Sequence, residues 1–156
     1  MTTTEREIKL NSRYLDVLRL EKKGYCCSQI MILFMLKSRG KENPDLVRAM
    51  AGLCNGVGSS GEICGVLTGG VCLLSLCAAK GSDDEVPYER LPLLLWELTD
   101  WFRKRTDGDF GGLKCDEILA KSPDKRACVI LIVETYEKVR SLLESHRLVM
   151  PGEKDE

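Results

Sequence analysis

Histidine is nearly absent from this 156-residue chain. The single copy, His146, follows Glu144 and Ser145 and precedes Arg147, a run that reads as a solvated face. A Ser-His-Asp triad, a Cys-His pair or a histidine-containing zinc site would each have to be built on that one residue, and all three are set aside. An excess of positive charge is missing too: 23 Lys and Arg stand against 24 Asp and Glu, a formal net charge of -1, whereas nucleic-acid binders are usually strongly basic. The start, MTTTEREIKLNSRY, is polar and charged with no apolar stretch behind it, so no secretory signal is read and the expected compartment is the cytoplasm. The longest uncharged run, Ile63 to Ala79, is 17 residues and holds three glycines and three cysteines, a poor membrane span and a better buried helix. Internal repeats, low-complexity segments and linkers are also lacking.

What the chain does have is helical punctuation from end to end. Thr4 with Glu7 fits a capping box opening a first helix to about Lys23, with Gly24 as its stop. A second starts near Cys27 and carries Ile30 to Leu36, too apolar all round for a surface helix. Asn43-Pro44 starts a third through about Cys54. Ser59 with Glu62 predicts another capping box, launching a central helix to about Ala79. Leu91, Leu94, Leu95, Leu98, Trp101 and Phe102 keep helical spacing up to Arg103-Lys104-Arg105, and the DGDFGG loop leads to a short helix from Cys115 to Ala120. Ser122-Pro123 then caps a final helix bearing Val129, Ile132, Val133, Tyr136, Val139 and Leu143 on one side. The expected fold is all-α: a single domain over residues 1–150, a bundle of about six helices, with residues 151–156 as a disordered tail.

Two glycine patterns need weighing. Gly56, Gly58 and Gly61 spell Gly-x-Gly-x-x-Gly with Asp83 about 20 residues on, but a dinucleotide fingerprint must follow a strand, and PDLVRAMAGLC is spaced as a helix. A glycine-rich turn between helices is the plainer reading. Gly61, Gly65 and Gly69 form a stripe that lets another helix, or a bulky cofactor, approach the backbone closely.

Eight cysteines are the exceptional count, at 26, 27, 54, 64, 72, 77, 115 and 128. In a reducing compartment they point to metal binding or catalysis more than to disulfide staples. None has Cys-x-x-Cys spacing, and Cys72 and Cys77 diverge by about 140° on a helix, so any shared site must be assembled from distant helices. Cys27 and Cys115 fall at predicted helix starts, Cys64 in the second turn of the central helix, and Cys128 about one and a half turns into the last. Helix N-termini lower a thiol's pKa and favour the thiolate, which makes these four the reactive candidates. Cys72 and Cys77 read as small core residues, Cys54 sits at the unfavourable end of a helix dipole, and Cys26 is ambiguous beside Cys27.

The runs GYCCSQ and CGVLTG, with single cysteines in KCDEIL and RACVIL, resemble the C_GCAxxG_C_C family of redox-active proteins over roughly residues 12 to 140. The resemblance implies that Cys27, Cys64, Cys115 and Cys128 are the family's four cysteines and that Gly65 and Gly69 are its glycines; Val66 stands where the motif has alanine. Cys27 is preferred to Cys26 because it precedes Ser28-Gln29, as the family's first cysteine precedes a small residue and Gln. The leading expectation is a redox protein holding an iron–sulfur cluster, [2Fe–2S], through Cys27, Cys64, Cys115 and Cys128, with Gly65 and Gly69 beside it. Such a protein transfers electrons or senses redox state with a partner protein, and is more an accessory protein than an enzyme with its own substrate. The alternatives are a structural four-cysteine zinc site and metal-free thiol–disulfide chemistry. Neither nucleic acid nor a membrane is an expected partner, and a homodimer is left open.

Overall fold

The structure, a computed structural model, describes residues 2–148, so the expected tail at 151–156 lies outside the described residues. Among the described residues seven α-helices follow one another: α1 (Thr3–Lys22), α2 (Cys27–Ser38), α3 (Pro44–Met50), α4 (Gly65–Ala78), α5 (Leu91–Phe110), α6 (Cys115–Lys121) and α7 (Arg126–Ser145). A single 3-10 turn, Ala51–Leu53, extends α3. No strand forms among the described residues, and none of their helices is long and apolar enough to cross a membrane. The all-α expectation of about six helices holds, and each of the seven answers to a helical segment read from the sequence.

The core is arranged around α4, which is apolar on every side because α2, α5 and α7 all pack on it. Leu73 and Leu74 of α4 are fully buried with Ile30, Met31 and Met35 of α2, Leu94, Leu98 and Phe102 of α5, and Leu131, Ile132 and Val139 of α7. Helices α2 and α4 approach closely: a Cβ on Gly69 would stand 3.3 Å from the Ser28 Cα and 3.2 Å from the Met31 Cγ, so the small residue lets the helices pack together. Helix α1 covers the outer side of α7, where Arg13 pairs with Glu137 and lies 4.8 Å over the Tyr136 ring.

Several boundaries differ from the sequence reading for local reasons. Thr2 rather than Thr4 caps α1, its hydroxyl accepting from the Glu5 N–H while Glu5 reaches back to the Thr2 N–H. Helix α5 continues through the expected loop to Phe110, and Gly111, in the left-handed region at φ 77°, ends it. Ser59 caps nothing, because residues 55 to 59 run consecutively through left-handed φ values of 54° to 74°. The chain turns back on itself there, with the Glu62 N–H donating to the Gly56 carbonyl and that of Gly61 to Asn55. Helix α4 consequently begins only at Gly65, and Gly61 lies in the turn instead of on the helix.

Candidate functional site: four helix-start thiols

Residues 61–64 and 113–116 meet as a short antiparallel pair centred on Ile63 and Lys114. The Cys64 N–H donates to the Leu113 carbonyl (2.9 Å) and the Cys115 N–H to the Glu62 carbonyl (2.7 Å), so α4 and α6 depart from neighbouring points. Cys64 is the residue before α4 and Cys115 the first residue of α6. Cys27 is the first residue of α2, and Cys128 is the third of α7, nearer that helix's start than the sequence suggested because α7 opens at Arg126. There the Ser122 hydroxyl accepts the Ala127 N–H (3.1 Å) and the Asp124 carboxylate the Arg126 N–H (3.1 Å).

The four sulfurs form an electrostatic group. Cys27 is repelled by a charge on Cys115, Cys64 by charges on Cys27 and Cys128, and Cys128 by charges on Cys27 and Cys115. Each is thus coupled to at least two others. Cys64 is buried; Cys27, Cys115 and Cys128 are half-buried. Gly65 is what lets Cys27 in: a Cβ there would stand 2.6 Å from the Cys27 Sγ and 2.9 Å from the Leu53 carbonyl. Val66 is buried in the core behind Cys64. Lys125 is the cation near Cys115 and Cys128, opposed by Asp116 beside the first and Glu21 beside the second.

Burial, not the helix dipole, sets these thiols' acidity, which corrects the expectation of lowered pKa values. Loss of solvation is the largest effect on all four and pushes every one up, Cys64 to about 12 and Cys128 to about 11. Backbone N–H groups of Val66 and Leu67 at Cys64, and of Ser28 and Asn55 at Cys27, offset only part of the shift. All four shifts favour the protonated thiol over the thiolate.

The donor chemistry fits soft metals, for which thiolate is the preferred ligand. Among the described residues no set of three or more His, Cys, Asp or Glu is gathered closely enough around one point to hold a single ion.

The other cysteines sort differently. Cys72 and Cys77 lie on α4, half-buried and packed against the core. Cys26 and Cys54 form a disulfide with Cα atoms 6.0 Å apart, a pairing that sequence reasoning missed. The available signal was subtraction: remove four helix-start and two mid-helix cysteines and only these two remain. His146 is also not on a solvated face. Its side chain is 8% exposed, with Nδ1 3.0 Å from the Tyr88 hydroxyl and Nε2 3.3 Å from the Glu97 carboxylate, which pins the loop before α5 to the end of α7.

An all-helical scaffold with four cysteines at or beside helix starts and a fifth and sixth joined as a disulfide defines a cysteine-rich helical class of protein. A family model described as "Putative redox-active protein (C_GCAxxG_C_C)" matches residues 25–142, and the chain belongs to that family. No curated protein and no solved structure matches it.

Proposed function

We propose that Cys27, Cys64, Cys115 and Cys128 hold an iron–sulfur cluster, [2Fe–2S], and that the protein passes single electrons to a partner protein or reports redox state. The observation that supports this most is the placement of four thiols at or beside four helix starts, with Cys27 and Cys128 each within electrostatic reach of the others. When bound, a cluster supplies one-electron chemistry and, with four protein thiolates, keeps no ligand position open for substrate. The chain's own residues do the rest. Helix starts direct N–H groups at the sulfurs, as Val66 and Leu67 do at Cys64, which offsets negative charge and raises a potential. Lys125 adds a full positive charge on the side of Cys115 and Cys128. Gly65 seats the Cys27 sulfur and Gly69 holds α2 against α4, so both glycines shape the site by what they leave room for. Protein purified anaerobically should be brown, with iron and acid-labile sulfide near two of each per chain. Colourless protein that resists anaerobic reconstitution overturns the reading, and about one zinc per chain without visible absorbance replaces it with a structural zinc site.

A further inference from the structure

The Cys26–Cys54 disulfide stands apart from the four thiols in chemistry while adjoining them in the chain. Its two halves are unequal. Cys26 caps α2, a 12-residue helix, and is half-buried, whereas Cys54 is buried. A sulfur at a helix N-terminus is the better thiolate, and an accessible one the better target. Cys54 has its own support, since the Ser28 hydroxyl lies 2.9 Å from its Sγ while donating to the Met50 carbonyl at 2.7 Å.

A cavity of about 820 Å³ opens beside the Cys26 half, between α2 and α3. Tyr25 and Gln29 line it, and the Gln29 carbonyl oxygen is 3.4 Å from the Cys26 Sγ and accepts the Cys26 N–H at 3.2 Å. The Gln29 amide N–H donates across to the Val47 carbonyl at 3.1 Å. Gln29 thus both lines the cavity and touches the Cys26 half of the disulfide. The volume is that of a small-molecule site. Leu33, Leu36 and Val47 are its apolar lining, and Lys37, Lys41 and Arg48 line it against the single acid Glu42. Arg48 is paired with Asp45, while Lys37 and Lys41 make no ion pair among the described residues.

We propose that the Cys26–Cys54 disulfide is a second redox centre, exchanging two electrons with a small anionic thiol that enters through this cavity. The entering thiolate attacks the Cys26 Sγ; a mixed disulfide forms, the Cys26–Cys54 bond breaks, and the electron pair goes to the Cys54 Sγ, where the Ser28 hydroxyl can donate until solvent supplies a proton. A second thiolate attacks the small molecule's sulfur in the mixed disulfide. Oxidised small-molecule disulfide leaves and the electron pair returns to the Cys26 Sγ at the start of α2. Two thiols and one protein disulfide thus become one small disulfide and two protein thiols, and the reverse reaction restores the bond. This holds whether or not a cluster is present, so it survives or fails separately from the function proposed above.

The test uses the full chain as purified and three small thiols of different charge: 3-mercaptopropionate, 2-mercaptoethanol and cysteamine. Reduction is followed by alkylation and peptide mapping at Cys26 and Cys54, and each rate is divided by that thiol's rate on a free small disulfide. Protein that arrives reduced is run in reverse, with 3,3′-dithiodipropionate, 2-hydroxyethyl disulfide and cystamine. The anionic reagent should lead the cationic one by about tenfold at low salt, and the lead should shrink at high salt. Lys37→Gln with Lys41→Gln, both at exposed positions, should reduce the lead to about twofold with the circular dichroism unchanged. Gln29→Ala should speed all three reagents. Reduction only at the rate of global unfolding, or a normalised anionic-to-cationic ratio of one, overturns the proposal, as does a ratio unchanged by the lysine substitutions.

Discussion

Replacing Gly65 by alanine should both destabilise the protein and disable the four-thiol site, and the structure gives the size of each effect. At this first position of α4, alanine gains up to about 1 kcal/mol of helix propensity over glycine. The new methyl would lie 2.6 Å from the Cys27 Sγ and 2.9 Å from the Leu53 carbonyl oxygen. The carbonyl belongs to the backbone of the 3-10 turn and cannot rotate away, so α4 must shift or the sulfur must leave. Overpacking of this kind costs about 1–3 kcal/mol, which outweighs the propensity gain and leaves a net loss of about 0–2 kcal/mol. Gly69→Ala is the comparison, because its methyl meets Met31 and Ser28 at 3.2–3.3 Å with no sulfur involved. Urea unfolding read with iron content per folded chain separates the two: Gly65→Ala loses bound metal beyond its loss of stability, and Gly69→Ala loses metal only as it loses fold. Full metal content in a folded Gly65→Ala would refute the idea that this glycine exists to admit Cys27.

Further outcomes follow from strain and from burial. Val57 is a β-branched residue at φ 63° and 47% exposed, so Val57→Gly should raise stability by about 1 kcal/mol, seen as a higher urea midpoint. Metal-free protein should lose stability at high pH: Cys64 is pushed from 9.0 to about 12 by burial, its protonated form belongs to the fold, and the contribution is complete below pH 9 and lost as pH rises toward 12. That loss is on the order of 4 kcal/mol for Cys64, and Cys64→Ala should flatten the alkaline limb of a urea-midpoint titration. Metal uptake replaces the same protons, so it should release protons near pH 7 and weaken as pH falls.

The helices were legible where a local signal decided them. Asn43-Pro44 starts α3 as read, and the apolar block after Cys27 is buried in α2. Of the four helix-start cysteines, Cys27 and Cys115 were legible as helix starts, whereas the punctuation that placed Cys64 in a second turn and Cys128 deeper in its helix was misread. Local signals failed where two were equivalent, as with Thr2-Glu5 and Thr4-Glu7, or where backbone geometry overrode one, as in the left-handed run that removes Ser59 from capping. The remaining misses are non-local. Cys26 and Cys54 are 28 residues apart and His146 reaches Tyr88 from 58 away, and no spacing rule links such pairs. The pKa direction failed for a related reason, since burial is a property of the assembled fold and here exceeds what helix starts supply.

The most direct test of the central claim is metal per folded chain in a serine series after anaerobic reconstitution. Serine keeps the size of cysteine but replaces a soft thiolate with a hydroxyl that binds iron or zinc poorly. Cys27→Ser, Cys64→Ser, Cys115→Ser and Cys128→Ser should each lose most of the metal while circular dichroism stays native. Cys72→Ser and Cys77→Ser should keep it, at a cost of about 1–3 kcal/mol where the new hydroxyl is left without a partner. Cys26→Ser should keep it as well, since its sulfur belongs to the disulfide with Cys54. A folded Cys72→Ser or Cys77→Ser stripped of metal, or a full complement in any of the first four, would contradict the assignment.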